Sequence, residues 1–134
     1  MTLVDTNVLI DVLSDDPIWF DWSSAWLDRR SDIGAMFINE VIFAELSVQM
    51  ESEDELEQAL AALRVTFMRT PIQALFIAGK AYQRYRAAGG IRTGVLPDFF
   101  IGAHAKITRW PLLTRDVRHY RTYFPDVELI APNT

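Results

Sequence analysis

Apolar residues along the chain follow two rhythms, set apart by turn and capping residues. Short apolar runs at residues 2–5, 35–38, 65–68, 111–114 and 127–130 predict strands. Between them lie longer stretches with apolar positions spaced by three and four, the period of a helix with one buried face. Asp5, Thr6 and Asn7 form a strand-to-helix corner, with a helix running to about Leu13. Asp16 as N-cap and Pro17 in the first turn open a second helix, which carries Trp19, Trp22 and Trp26 on one face. Asn39 caps a helix to about Met50, and Ser52 with Glu55 makes a capping box for another to about Leu63.

Pro71 starts a long helix whose stripe comprises Ile72, Leu75, Phe76, Gly79 and Tyr82, and which stops near Gly89 and Gly90. Residues 89–96 then read as a mobile loop. Pro97 and Asp98 open a helix through about Lys106, and Asp116 begins a helical turn. Strands separated by helices of this length pair in parallel through right-handed crossovers. The expected architecture is a three-layer α/β/α sandwich around a short, mostly parallel sheet of about four or five strands. With 134 residues, one domain spanning 1–134 is expected. In such sheets the site lies at the carboxyl ends of the strands.

Composition narrows the chemistry. Half of the residues are hydrophobic and 23% are charged, which excludes a disordered chain. There is no cysteine, so any metal must be held by oxygen or histidine, and hard cations are favoured. No basic segment followed by an apolar one precedes Leu3, and no apolar run could span a bilayer; a cytoplasmic location without a membrane partner is expected. The net charge of -5 is unevenly placed. Residues 1–57 hold 14 of the 18 acids against only Arg29 and Arg30, whereas residues 80–121 hold 9 of the 13 bases against Asp98 and Asp116, leaving that block seven charges positive. Such an asymmetry suits an anionic partner.

Four acids stand out by position. Asp5 and Asp116 each follow a strand, Asp98 opens a helix, and Glu45 lies among Val41, Ile42, Phe43, Ala44, Leu46 and Val48. Taken singly, Asp5, Asp98 and Asp116 also serve as helix caps, and Glu45 can face solvent. Taken together, they would converge at one end of the sheet. Carboxylates so placed repel one another unless a cation compensates, and Mg²⁺ or Mn²⁺ with oxygen ligands does so while polarising a phosphodiester. Thr6, Asn7 and Thr114 are placed to orient carboxylates or waters, although turn and cap roles account for them equally well.

The segments LVDTNVLID, FAEL around Glu45, LPDFFIGAHA around Asp98 and LLTRDVRHYRTYFPDVELIAP resemble, in order and spacing, the PIN-domain family, in particular its VapC-type toxins. The resemblance covers essentially the whole chain. It departs at Asn39, where many relatives carry serine or threonine, and in the bulky aromatic helix. It implies a metal-dependent endoribonuclease with Asp5, Glu45, Asp98 and Asp116 holding Mg²⁺ or Mn²⁺. It implies further a toxin of a type II toxin-antitoxin pair, restrained by a VapB-like antitoxin and assembled as a homodimer, with RNA such as tRNA or rRNA as substrate.

RNA approaching an acidic centre needs positive flanks. Arg84, Arg86, Arg92, Arg115 and Arg118 are available, of which Arg92 and Arg115 are the assigned substrate contacts, with Tyr85 or Tyr120 to stack on a base. His104 and His119 stay outside the catalytic set. The tryptophan face is expected in the core, any exposed remainder being a dock for a partner. Two alternatives stand: a PIN-like module that binds RNA or protein without cutting, and an aspartyl-phosphate domain, against which the DTN triplet lacks the required second acid.

Overall fold

The computed structural model describes residues 1–91 and 94–132. Among these residues, five strands form one sheet: β1 (Thr2–Val4), β2 (Met36–Ile38), β3 (Val65–Phe67), β4 (Leu112–Leu113) and β5 (Leu129–Ile130). Their order is β3-β2-β1-β4-β5 and every pairing is parallel. Leu3 is flanked by Phe37 on one side and Leu112 on the other, so β1 is the central strand. All of β1 and β4 is buried, as parallel strands covered on both faces must be. The strand order reverses at β1: the chain builds outward to β2 and β3, then returns to place β4 on the opposite side. In sheets of this kind such a switch places the functional site at the carboxyl ends of the strands, here those of β1 and β4.

Among the described residues, seven helices flank the sheet: α1 (Thr6–Leu13), α2 (Phe20–Ile33), α3 (Glu40–Ser47), α4 (Glu53–Ala62), α5 (Ile72–Ala87), α6 (Leu96–Thr108) and α7 (Arg118–Tyr123). Asn39 caps α3 by accepting from Val41 N and Ile42 N, both at 3.0 Å, and Ser52 caps α4 by accepting from Glu55 N at 3.1 Å. Leu3, Val4, Leu9, Ile42, Phe99 and Leu112 are fully buried. Each such side chain contributes about 1.5–3 kcal/mol by leaving water. α6 lies close against α7 because residue 102 is glycine; a Cβ there would stand 2.4 Å from the Phe124 ring.

Two expectations are corrected. Regular helix α2 starts at Phe20, because Asp16 caps a separate turn over Pro17–Trp19, accepting from Ile18 N at 2.9 Å and Trp19 N at 2.8 Å. Trp19 therefore precedes the helix, while Trp22 and Trp26 are half-buried against the core. The stripe expected to bury α5 faces outward: Ile72 is 84% and Phe76 67% exposed, and Ala74, Ala78, Ala81 and Tyr85 are buried instead. Small side chains let α5 approach the body of the protein more closely than Phe76 would. The expected mobile loop 89–96 includes residues 92 and 93, which lie outside the described residues.

Candidate active site

β1 ends at Val4, so the next residue, Asp5, stands at the carboxyl edge of the sheet. It is 4% exposed. Its Oδ1 accepts from Thr6 N at 2.7 Å, and its Oδ2 accepts from the Thr114 hydroxyl and the Tyr120 hydroxyl, each at 2.8 Å. Burial pushes the Asp5 carboxyl up to about 7; the Asp98 charge pushes the same way, and the donors from Tyr120, Thr114 and Thr6 resist.

Glu45 reaches the site from α3. Its Oε1 accepts from the Thr6 hydroxyl at 2.6 Å. Partial burial raises its carboxyl above the usual range, and the nearby Asp98 charge adds to this. Asp98, in the first turn of α6, is raised mainly by burial and further by Asp116, against the pull of His119, whose Nδ1 lies 3.3 Å from its Oδ2. Asp116 is held below the usual carboxylate range by Arg118, which grips both of its oxygens at 3.1 and 2.8 Å. Asp5 and Glu45 each feel the charge of Asp98, and Asp98 feels that of Asp116, so the four expected carboxylates are linked electrostatically through Asp98.

Thr6, Asn7 and Thr114 all touch this centre. Thr114 donates to Asp5 and accepts from Asp116 N at 3.1 Å, while Asn7 Nδ2 lies 3.3 Å from the Thr114 hydroxyl. Among the described residues, no group of three or more Asp, Glu or His side chains is drawn into a ready cage for a metal ion. The donors are nonetheless all oxygen and mutually repelling, which fits a hard divalent cation. The apolar groove of about 470 Å³ lined by Phe43, Leu60, Val65 and Phe67 contains none of the four acids. Convergence of charge, rather than concavity, marks the site.

The basic residues are less simply placed. Arg115 is paired with Asp11, and Arg118 with Asp116. Arg84 and Arg86 are exposed at the end of α5. Arg92 lies outside the described residues. Neither tyrosine is free to stack on a base: Tyr85 is buried against Phe99 and Tyr123, and Tyr120 is buried with its hydroxyl on Asp5. This corrects the stacking role and gives Tyr120 a place in the site that the sequence reading missed. The available signal was its spacing of four from Asp116. His104 is buried elsewhere, with Nδ1 3.0 Å from Asn39 Nδ2.

The model of one family, the PIN domain, matches residues 2–125. The chain belongs to the PIN-domain family. The fold of this PIN domain is shared by solved structures of low sequence identity. A chain of VapBC2 from Rickettsia felis, bound to a DNA fragment from their promoter, superposes with a TM-score of 0.72 at 17% identity, covering 97% of each chain. A chain of FitAcB from Neisseria gonorrhoeae gives 0.68 at 22% identity, covering 97% of this chain and 96% of that one. A toxin-antitoxin complex from Klebsiella pneumoniae gives 0.70 at 20% identity, covering 99% and 98%. No curated protein matches the chain. Among the described residues, no helix is long and apolar enough to cross a membrane.

Proposed function

We propose that this PIN domain is a metal-dependent endoribonuclease and the toxin of a type II toxin-antitoxin pair. The observation that carries the reading is the electrostatic link between Asp98 and the three other acids, Asp5, Glu45 and Asp116, near the switch point of the sheet. Asp5, Glu45, Asp98 and Asp116 would hold Mg²⁺ or Mn²⁺ through oxygen. When bound, such an ion neutralises the carboxylates, polarises a phosphodiester and lowers the pKa of bound water.

The remaining work belongs to the chain. Thr114 and Tyr120 fix one oxygen of Asp5, Thr6 fixes Glu45, and His119 steadies Asp98, so that the acids present prearranged oxygens. The basic block around residues 80–121 offers attraction for RNA. The toxin reading rests on the family and on the fold shared with toxin-antitoxin complexes. It carries with it a VapB-like antitoxin as partner, a homodimer and a cytoplasmic setting.

The test is incubation of total RNA, including tRNA and rRNA, with the protein and Mg²⁺ or Mn²⁺. Cleavage is expected with the ion, and is expected to stop with EDTA or in Asp5→Ala. RNA bound tightly but left intact by the wild type under all these conditions would favour a binding module instead. Growth arrest on expression, relieved by a co-expressed antitoxin, tests the toxin role.

A further inference from the structure

Asp11 lies one turn beyond Asn7 on α1, is completely buried, and stands apart from the four-acid cluster. Its Oδ2 accepts from the Ser23 hydroxyl of α2 and from Arg115 Nε, both at 2.7 Å, and its Oδ1 accepts from Arg115 Nη2 at 2.7 Å. The Arg115 guanidinium also lies over the Trp19 ring, 5.3 Å from its centroid. Its backbone N–H donates to Asn7 Oδ1 at 3.2 Å. Residue 115 is therefore held twice by the same face of α1, through its main chain by Asn7 and through its side chain by Asp11. On either side of it stand Thr114, which donates to Asp5, and Asp116 itself.

We propose that Asp11 and Arg115 are positioning residues: their ion pair, backed by Ser23 and Trp19, fixes the Thr114–Asp116 segment on α1 and so sets Asp116 relative to Asp5. β4 ends at Leu113 and α7 begins at Arg118, so no strand or helix carries Asp116, and the anchor has to come from side chains. A guanidinium whose fork is filled by a buried carboxylate would strand that carboxylate if it left to grip an RNA phosphate. This assigns Arg115 to geometry rather than to substrate. The inference rests on the nuclease reading above.

Two measurements on purified protein test it: Mn²⁺ affinity by calorimetry, and the salt dependence of binding to a mixed-sequence single-stranded RNA oligonucleotide. The variants are Arg115→Lys, Arg115→Gln, Asp11→Asn and the double change Asp11→Asn with Arg115→Gln, each checked for cooperative thermal unfolding. Arg115→Lys keeps the charge but cannot span both carboxylate oxygens. It is expected to bind Mn²⁺ about 10- to 100-fold more weakly, as is Asp11→Asn, with RNA binding and its salt slope unchanged. The double variant should be no weaker than the worse single, since both remove one anchor.

The proposal is overturned if Arg115→Lys and Asp11→Asn bind Mn²⁺ like the wild type. It is equally overturned if Arg115→Gln lowers the salt slope of RNA binding by about one while leaving Mn²⁺ affinity intact, the signature of a phosphate contact. Should Arg115→Gln fail to fold, Arg115→Lys and Asp11→Asn decide the matter. A wild type that binds no Mn²⁺ sinks the nuclease reading itself, a result distinct from a binding wild type with equally good variants.

Discussion

Asp5 shows how one residue can carry both the cost and the use of the site. Its carboxyl sits at about 7 because burial disfavours the charged form more than three donors favour it. In the unfolded chain it would titrate near 3.8. Between those values the folded state keeps a proton that the unfolded state has released. This contribution to stability is therefore complete at low pH and is lost as pH rises through about 7. Glu45 and Asp98 are shifted the same way; Asp116 is shifted oppositely but is too exposed to weigh much. In EDTA, the melting temperature should fall as pH rises from about 4 to about 7. Asp5→Asn should lose most of that fall, which thermal denaturation across pH checks. In Tyr120→Phe the carboxylate loses a donor, so the Asp5 pKa rises further. Mn²⁺ binding should then need higher pH and weaken about 10- to 100-fold.

Residues of this kind were unequally legible. The positions of Asp5, Asp98 and Asp116 could be read because strand ends and helix starts place carboxylates by rule; Glu45, in the middle of α3, follows no such rule. The partner of Arg115 could not, since Asp11 and Arg115 are 104 residues apart and only the sheet order brings α1 beside the segment after β4. Tyr120 reads as an ordinary core aromatic, and its spacing of four from Asp116 does not by itself say that its hydroxyl reaches Asp5. Breaking the buried Asp11 pair by Arg115→Gln should also destabilise the protein by about 3–5 kcal/mol, seen as a lower denaturation midpoint.

At the scale of elements, the strands and the caps at Asn39 and Ser52 were read well because short apolar runs and capping side chains act locally, whereas Asp16 and Pro17 open a turn rather than α2. Which face of α5 is buried was misread. Ile72, Leu75 and Phe76 make the stronger apolar stripe, yet Ala74, Ala78 and Ala81 face inward, because the demand for close approach outweighs side-chain hydrophobicity. Two glycines separate these effects. Gly102 is compelled by Phe124, so Gly102→Ala should destabilise by about 1–3 kcal/mol through overpacking. A Cβ at Gly79, in the middle of α5, would meet nothing within 4 Å. Gly79→Ala should stabilise by about 0.5–1 kcal/mol, since alanine loses less backbone entropy in a helix. Denaturant unfolding of the two variants reads both signs.

At the scale of the molecule, the parallel sheet and its switch at β1 bring the segments that carry the four acids toward one end of the sheet. Asp5 follows the central strand, Asp116 follows its neighbour β4, and α3 and α6 bring Glu45 and Asp98 to the same end. A net charge of -5 is then compatible with an anionic substrate, because the negative charge concentrates in the first part of the chain and the positive charge in residues 80–121.

The most direct measurement of the central claim is a Mn²⁺ titration by calorimetry of the wild type beside Asp5→Asn, Glu45→Gln, Asp98→Asn and Asp116→Asn. Saturable binding by the wild type, weakened at least about tenfold in each single variant, is predicted if the four side chains share one ion site. Absence of saturable binding in the wild type, or variants that bind as it does, would contradict the account.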